Sequence, residues 1–298
     1  MGLHLSPRLR RAGLWTVASA GLLALSGCSA ADQDQIARLA MPEPATDRAP
    51  AIYDLWQGAW IAAMITGVVV WALIGYACFA YRRRHADEIP VQTRYNLPIE
   101  ILYTVAPVVI VLVFFYYTVT AQNEVLAEPT NAEGEVGQAD HDITVVGQQW
   151  SWAFNYMGED AVDGQDVYLV GTPAERPTLV LPVDESVEVT LLSPDVIHSF
   201  WVPAFLFKMD VVPGRQNSFS FTPTREGTFE GRCAELCGAY HSRMLFDVDV
   251  VSTEEYDDYL RSLEEEGNVG TALGGADADT QAGLEEEVQD NEETGSSE

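Results

Sequence analysis

The stretch Cys233-Ala-Glu-Leu-Cys-Gly-Ala-Tyr-His-Ser-Arg-Met244 packs two thiols, an imidazole and a thioether into one short segment, and His198 lies 35 residues upstream. This soft nitrogen-and-sulfur set suits copper far better than magnesium or calcium. Two cysteines four apart can both bridge a pair of metal ions, leaving one histidine for each ion and the methionine as a weak extra ligand. One electron delocalised over two bridged coppers changes bond lengths little, which favours fast electron transfer. A disulfide between Cys233 and Cys237 is the competing reading, open to any exported domain. His198 or Met244 alone would be ordinary packing residues; their weight comes from the cluster.

Around this segment the texture is β-rich. Strands are predicted at 143–146, 150–156, 167–170, Thr178–Pro182, Val187–Leu192, 217–222, 228–231 and Leu245–Val251. Val187-Glu-Val-Thr-Leu191 and Phe246-Asp-Val-Asp-Val250 alternate as half-buried strands do, and Pro and Gly punctuate the intervals. Short strands at this spacing imply a sandwich or barrel. The cysteine segment then joins two strands, and His198 falls on the loop after Val187–Leu192. Loops at one end of a rigid sandwich are where a metal site is best preorganised.

Further toward the N-terminus the composition changes. Residues 59–81 form a run of 23 without a charge, closed by Arg82, Arg83, Arg84 and His85. Residues 99–120 form a second run of 22, charged only at Glu100. Each exceeds the ~20 residues that cross a bilayer core. The loop between them holds Arg82, Arg83, Arg84 and Arg94, so it belongs in the cytoplasm and everything after about residue 121 outside. Tyr53, Trp56, Trp60, Tyr116 and Tyr117 fit interfacial anchors, and Pro107 should bend the second span. Glu100 stands in the first turn of that span; it either complements the helix dipole or serves proton uptake.

Arg8, Arg10 and Arg11 precede an apolar stretch at 12–25, followed by Leu25-Ser-Gly-Cys28, the layout of an export signal. The last four residues resemble a bacterial lipoprotein box, which makes Cys28 a lipidation site; a plain signal peptide cut nearby would leave it incidental. Cys78, inside the first span, reads as inert packing. The domain plan is therefore a signal at 1–27, an extracytoplasmic lead at 28–55, a transmembrane hairpin at 56–120 and a linker at 121–140. A sandwich at 141–252 and an acidic tail at 253–298 complete it. The formal net charge of −29 over 298 residues excludes a nucleic-acid backbone as partner. Of 45 acidic residues, 16 follow Val251 with only Arg261 opposing them, so the tail is expected to be solvated and disordered.

The cysteine segment, together with Asp195-Val-Ile-His-Ser-Phe-Trp-Val-Pro203, Lys208-Met-Asp-Val-Val-Pro-Gly-Arg215 and Gly147-Gln-Gln-Trp-Ser-Trp152, resembles subunit II of the haem–copper cytochrome c oxidases over about residues 53–251. The resemblance implies a transmembrane hairpin followed by an all-β, cupredoxin-like sandwich with a dinuclear copper A centre. Cys233 and Cys237 would bridge both ions. His198 and Met244 would complete one copper; His241 and the Glu235 carbonyl would complete the other. The Glu235 side chain would help hold a magnesium or manganese ion at the catalytic subunit. Trp150 would receive electrons from cytochrome c, and Glu100 matches the acid at the mouth of a proton-uptake path. Implied partners are oxidase subunits I and III, a separate cytochrome c and the lipid bilayer of a bacterial plasma membrane.

Arg232 and Ala234 stand where the family usually has Gln and Ser, and Gln148 replaces a common His. None of the three is a ligand. No Cys-x-x-Cys-His follows the copper segment, so no fused haem c is expected. Trp150 and Trp152 alternate, and pattern alone does not tell which faces solvent. Asp195 and Asp210 order the ligand loop, belong to an acidic docking face, or are ordinary surface charge. Three other functions compete: a quinol oxidase subunit, an exported copper-delivery lipoprotein, and a structural sandwich with a Cys233–Cys237 disulfide. Quinol oxidases typically lack the copper ligands, and a carrier needs one membrane anchor at most.

Overall fold

A computed structural model describes residues 30–272. The expected export signal, Cys28 and the end of the acidic tail lie outside the described residues. The chain divides into two compact units, Met1–Glu43 and Pro44–Glu298. In the first, the described structure is a short helix, α1 (Ala30–Ala37), closed by Leu39 and Ala40 in left-handed conformation.

The second unit begins with two long helices, α2 (Ala49–Ala80) and α3 (Leu97–Val125), both long and apolar enough to cross a membrane. Each starts before the apolar run that predicts it, because its start is set by local chemistry. Pro50 occupies the first turn of α2, where a missing N–H costs nothing. At α3 the Asn96 side chain accepts from the Ile99 N–H, and Glu100 Oε1 accepts from the Asn96 N–H at 2.8 Å. Glu100 thus caps its own helix. Pro107 leaves α3 continuous. Arg48, at the head of α2, donates to the carbonyls of Glu124, in the last turn of α3, and of Glu128, just beyond it, at 3.0 and 3.5 Å. The two helices therefore run antiparallel.

Ten strands follow. One sheet has the order β3 (Gln165–Val170), β2 (Ser151–Glu159), β1 (His141–Gln148), β5 (Val187–Leu192) and β8 (Asn217–Phe221). The other has the order β4 (Thr178–Pro182), β10 (Leu245–Val251), β9 (Gly227–Cys233), β6 (His198–Val202) and β7 (Phe207–Val211). The β1–β5 and β4–β10 pairs are parallel and the remaining pairs antiparallel. The expected class, a two-helix hairpin followed by an all-β cupredoxin-like sandwich, is what forms. Two strands, β6 and β7, were not predicted from the sequence, and His198 is the first residue of β6 rather than part of a loop.

The inner faces meet in an aromatic layer. Phe200 stacks on Phe246 with centroids 4.8 Å apart, and Trp152 meets Phe246 edge-on at 5.3 Å and Phe200 at 5.8 Å. Gly231 makes this layer possible, since a Cβ there would stand 2.1 Å from the Phe246 ring. The turn at Pro203–Phe205 after β6 meets the start of the hairpin through the Ala45 N–H and the Ala204 carbonyl, 3.0 Å apart. Ser220 also donates to the Ala127 carbonyl, at 3.1 Å. The hairpin is thereby tied to the end of β6 away from His198.

The start of the acidic tail corrects the expectation of disorder. Helix α4 (Thr253–Glu265) opens with a full capping box between Ser252 and Glu255 and buries Tyr256, Leu260 and Leu263 against the sandwich. Three apolar anchors on one helical face outweigh the repulsion of the acids facing solvent.

Candidate metal centre

Three segments converge at one end of the sandwich. β9 ends on Cys233, the following loop carries Cys237, His241 and Met244 back to β10, and β6 starts on His198. Ligand atoms of His198, Cys233 and Cys237 lie within 4.8 Å of one another. The two sulfurs are 3.8 Å apart, far beyond the ~2.05 Å of a disulfide, and both cysteines are free. Two metal–sulfur bonds of ~2.3 Å span up to ~4.6 Å, so one ion can contact both sulfurs. His198 Nδ1 stands 3.9 Å from Cys233 Sγ, and His241 Nδ1 stands 3.6 Å from Cys237 Sγ. Met244 Sδ is 3.7 Å from Cys237 Sγ, and the Glu235 carbonyl oxygen is 3.2 Å from Cys233 Sγ. Every sequence-predicted donor is therefore in the cluster, and the donor chemistry fits copper.

Burial and charge prepare the thiols. Cys233, Cys237, Met244 and His198 are all buried. Burial by itself raises the Cys233 thiol, but hydrogen bonds with His198 and with the backbone at Glu235 and Ser199 outweigh it and bring the group below the usual thiol range. Burial and the negative charge of Cys233 push Cys237 the opposite way. The pair thus carries one charge readily and resists a second, a situation a cation relieves by displacing the remaining proton.

The imidazole of His198 is oriented from behind. Its Nε2 is 2.9 Å from Asp195 Oδ1, which leaves Nδ1 facing the sulfurs, the arrangement by which carboxylates fix ligand histidines. Burial works against the charged imidazole, yet Asp195 and Cys233 hold its pKa above the ordinary histidine value. Asp195 is itself fixed by the Val196 and Gln149 N–H groups, at 2.6 and 2.7 Å. Of the readings the sequence left open for Asp195, ordering the ligand loop is the one its contacts support; Asp210 instead lies on β7, 3.7 Å from Lys208 Nζ. The Gln149 side chain donates to the Cys237 carbonyl at 2.7 Å, so one residue staples the two ligand segments together. Sequence reasoning missed Gln149, because its role depends on which loops meet.

Trp152 and Trp150 separate cleanly. Trp152 is in the core with its ring 6.2 Å from that of His198, opposite Gly147 in the β1–β2 ladder. A Cβ on Gly147 would stand 3.0 Å from Trp152 and 3.3 Å from His198. Trp150 lies in the turn between β1 and β2 rather than in the predicted strand, half-buried and edge-on to Tyr240 at 4.9 Å. The Glu235 side chain is exposed. Glu100 belongs to the first turn of α3 and takes no part in the cluster.

Residues 142–251 match the family described as cytochrome c oxidase subunit II, periplasmic domain. The probable cytochrome c oxidase subunit 2 of Streptomyces avermitilis is 45% identical over 307 residues, covering 90% of this chain and 92% of that one. The cytochrome c oxidase subunit 2 of Corynebacterium glutamicum is 34% identical over 309 residues, with 84% of each covered. Among solved structures, the periplasmic domain of subunit II of the Bradyrhizobium japonicum cytochrome oxidase is 31% identical and covers 43% of this chain and 96% of its own, with a TM-score of 0.38. With a hairpin long enough for a membrane, a sandwich beyond it and relatives aligned along nearly their whole length, the chain belongs to the cytochrome c oxidase subunit II family.

Proposed function

We propose that this membrane subunit receives electrons from cytochrome c at a dinuclear copper centre held by His198, Cys233, Cys237, His241, Met244 and the Glu235 carbonyl. The carrying observation is the convergence of two open thiols, two imidazoles and a thioether at one buried end of a rigid sandwich. When bound, a copper pair supplies a one-electron carrier between the donor outside and the haem of subunit I, where oxygen is reduced to water.

The chain's own residues prepare that role. Cys233, Cys237, His198, Met244, His241 and the Glu235 carbonyl would together hold the copper pair, the two cysteines as thiolates. Asp195 keeps the His198 ring in the tautomer that offers Nδ1. The aromatic layer of Trp152, Phe200 and Phe246 excludes water beneath the cluster, and dry, tightly packed walls limit reorganisation. Trp150, half-buried against the same loop, is the residue that first takes the electron.

The Glu235 carboxylate, which is exposed, would help hold a magnesium or manganese ion shared with subunit I. Glu100, beyond capping α3, serves proton uptake in a proton-pumping complex that includes subunits I and III. Lipidation at Cys28 and the arginine-rich loop after α2 set the orientation, with the sandwich outside a bacterial plasma membrane.

Metal analysis and electron paramagnetic resonance of the purified protein test the proposal, with Cys233→Ser and His241→Ala as variants. A hyperfine pattern of one electron shared between two copper nuclei is expected, lost in either variant together with cytochrome c oxidation. Normal turnover in Cys233→Ser would refute it.

A further inference from the structure

The indole of Trp150 is seated on the ligand loop by two residues with no part in metal binding. Gly238 follows Cys237 with φ of +127°, and a methyl group there would lie 3.1 Å from Trp150 Nε1 and 3.3 Å from Trp150 Cζ2. Only glycine adopts that backbone freely while letting the ring approach so closely. Tyr240 supplies the second contact, its ring centroid 4.9 Å from that of Trp150 and its plane at 85°. Such edge-to-face pairs fix ring orientation beyond what burial alone provides.

Position gives this contact its significance. Tyr240 directly precedes His241 and is 47% exposed, whereas Trp150 is half-buried. Leu236, 78% exposed, and Ile197, 45% exposed, stand on the same two ligand segments. The Arg243 guanidinium lies 6.0 Å from the Tyr240 ring centroid, which further restrains it. The outer aromatic surface at this end of the sandwich is therefore Tyr240, and Trp150 lies partly behind it.

We infer that Tyr240 is a positioning residue for electron uptake, its ring holding the Trp150 indole against the segment between Cys237 and His241 and offering the first aromatic surface an incoming cytochrome meets. The role rests on the electron-accepting function proposed above. Electron tunnelling weakens steeply with each added through-space gap. An indole released from Tyr240 would swing away from the loop for part of the time, and transfer would slow in proportion. The ring is required and the hydroxyl is not.

The assembled oxidase, carrying Tyr240→Ala or Tyr240→Phe in this subunit, separates the alternatives. Copper content, the paramagnetic spectrum and the midpoint potential report on the ligand loop. Stopped-flow reduction by cytochrome c and by a small ruthenium amine reports on electron uptake with and without protein docking. Tyr240→Ala is expected to lower kcat with cytochrome c by about two- to tenfold, the bias an edge-to-face pair exerts on ring position, with potential and spectrum unmoved. Tyr240→Phe is expected to restore the rate.

A wild-type rate in Tyr240→Ala would overturn the inference. So would a Tyr240→Phe enzyme as slow as Tyr240→Ala, or an altered copper spectrum with equal slowing for both reductants. Wild-type enzyme lacking copper in this subunit would instead remove the electron-accepting function itself, and with it this role.

Discussion

Raising the pH from about 6.5 to above 9 should remove about 3 kcal/mol of stabilisation that His141 supplies to the sandwich. Its Nδ1 lies 2.9 Å from Glu159 Oε2 and its Nε2 lies 2.6 Å from Glu185 Oε2. The side chains of His141, Glu159 and Glu185 are 12%, 6% and 27% exposed. Burial alone would lower the imidazole pKa, but hydrogen bonds and charge attraction from the two glutamates outweigh it and raise the group from 6.5 to about 9. At about 1.4 kcal/mol per pH unit, that difference is worth about 3 kcal/mol.

The sign follows from proton counting. Below pH 6.5 the imidazole is charged in both folded and unfolded chains, and the stabilisation is complete. Between 6.5 and about 9 the unfolded chain releases its proton while the folded chain keeps it, so stability falls as pH rises. Above about 9 the contribution is gone.

The same carboxylates secure α4, since Tyr256 donates to Glu159 Oε1 at 2.9 Å and Thr253 donates to Glu185 Oε1 at 2.5 Å. Helix α4 should therefore open first. Urea unfolding of the detergent-solubilised protein at stepped pH, followed by circular dichroism, reads the total; hydrogen exchange in 253–265 reads the helix. His141→Gln should lower stability at pH 6 by about 3 kcal/mol, because it leaves a buried carboxylate uncompensated. It should also flatten the slope between pH 6.5 and 9. Equal slopes in wild type and His141→Gln would refute the reasoning.

Asp195→Asn removes the charge that orients His198 and should weaken copper retention by about ten- to a hundredfold, measured by titration with a competing chelator; unchanged affinity would mean the 2.9 Å contact is incidental. Gly231→Ala places a methyl within 2.1 Å of the Phe246 ring and should cost at least about 1–3 kcal/mol. A urea midpoint equal to wild type would show that the aromatic layer yields more easily than its packing suggests.

How much of this was legible in the sequence depends on how local each cause is. The spans were readable because a charge-free run is a local property, yet their starts were set by Pro50, Asn96 and Glu100, which an apolar count ignores. Thr178–Pro182, Val187–Leu192 and Leu245–Val251 were read to the residue from their apolar and β-branched texture. β6 and β7 were missed because His198–Val202 is cut short by Pro203, and Phe207–Val211 carries Lys208 and Asp210 outward. Helix α4 did have a local signature, with Ser252 three residues before Glu255 and Tyr256, Leu260 and Leu263 on one face. It was lost because the acids were counted over 253–298 as one block, when the charge of its solvent face says nothing about the buried face.

The candidate centre divides along the same line. Four side-chain donors sit in one loop, so their spacing announces the chemistry before any fold is known, and only His198 must be supplied by topology. The orienting residues have no such spacing. Gln149 and Tyr240 reach their partners only because the β1–β2 turn and the two ligand segments meet at one end of the sandwich; Asp195, three residues before His198, is the local exception. Gly147 and Gly238 make those meetings possible by what they lack, and an absent side chain leaves no chemical signal to read. The donors decide which metal fits; the register of two sheets decides which side chains surround it.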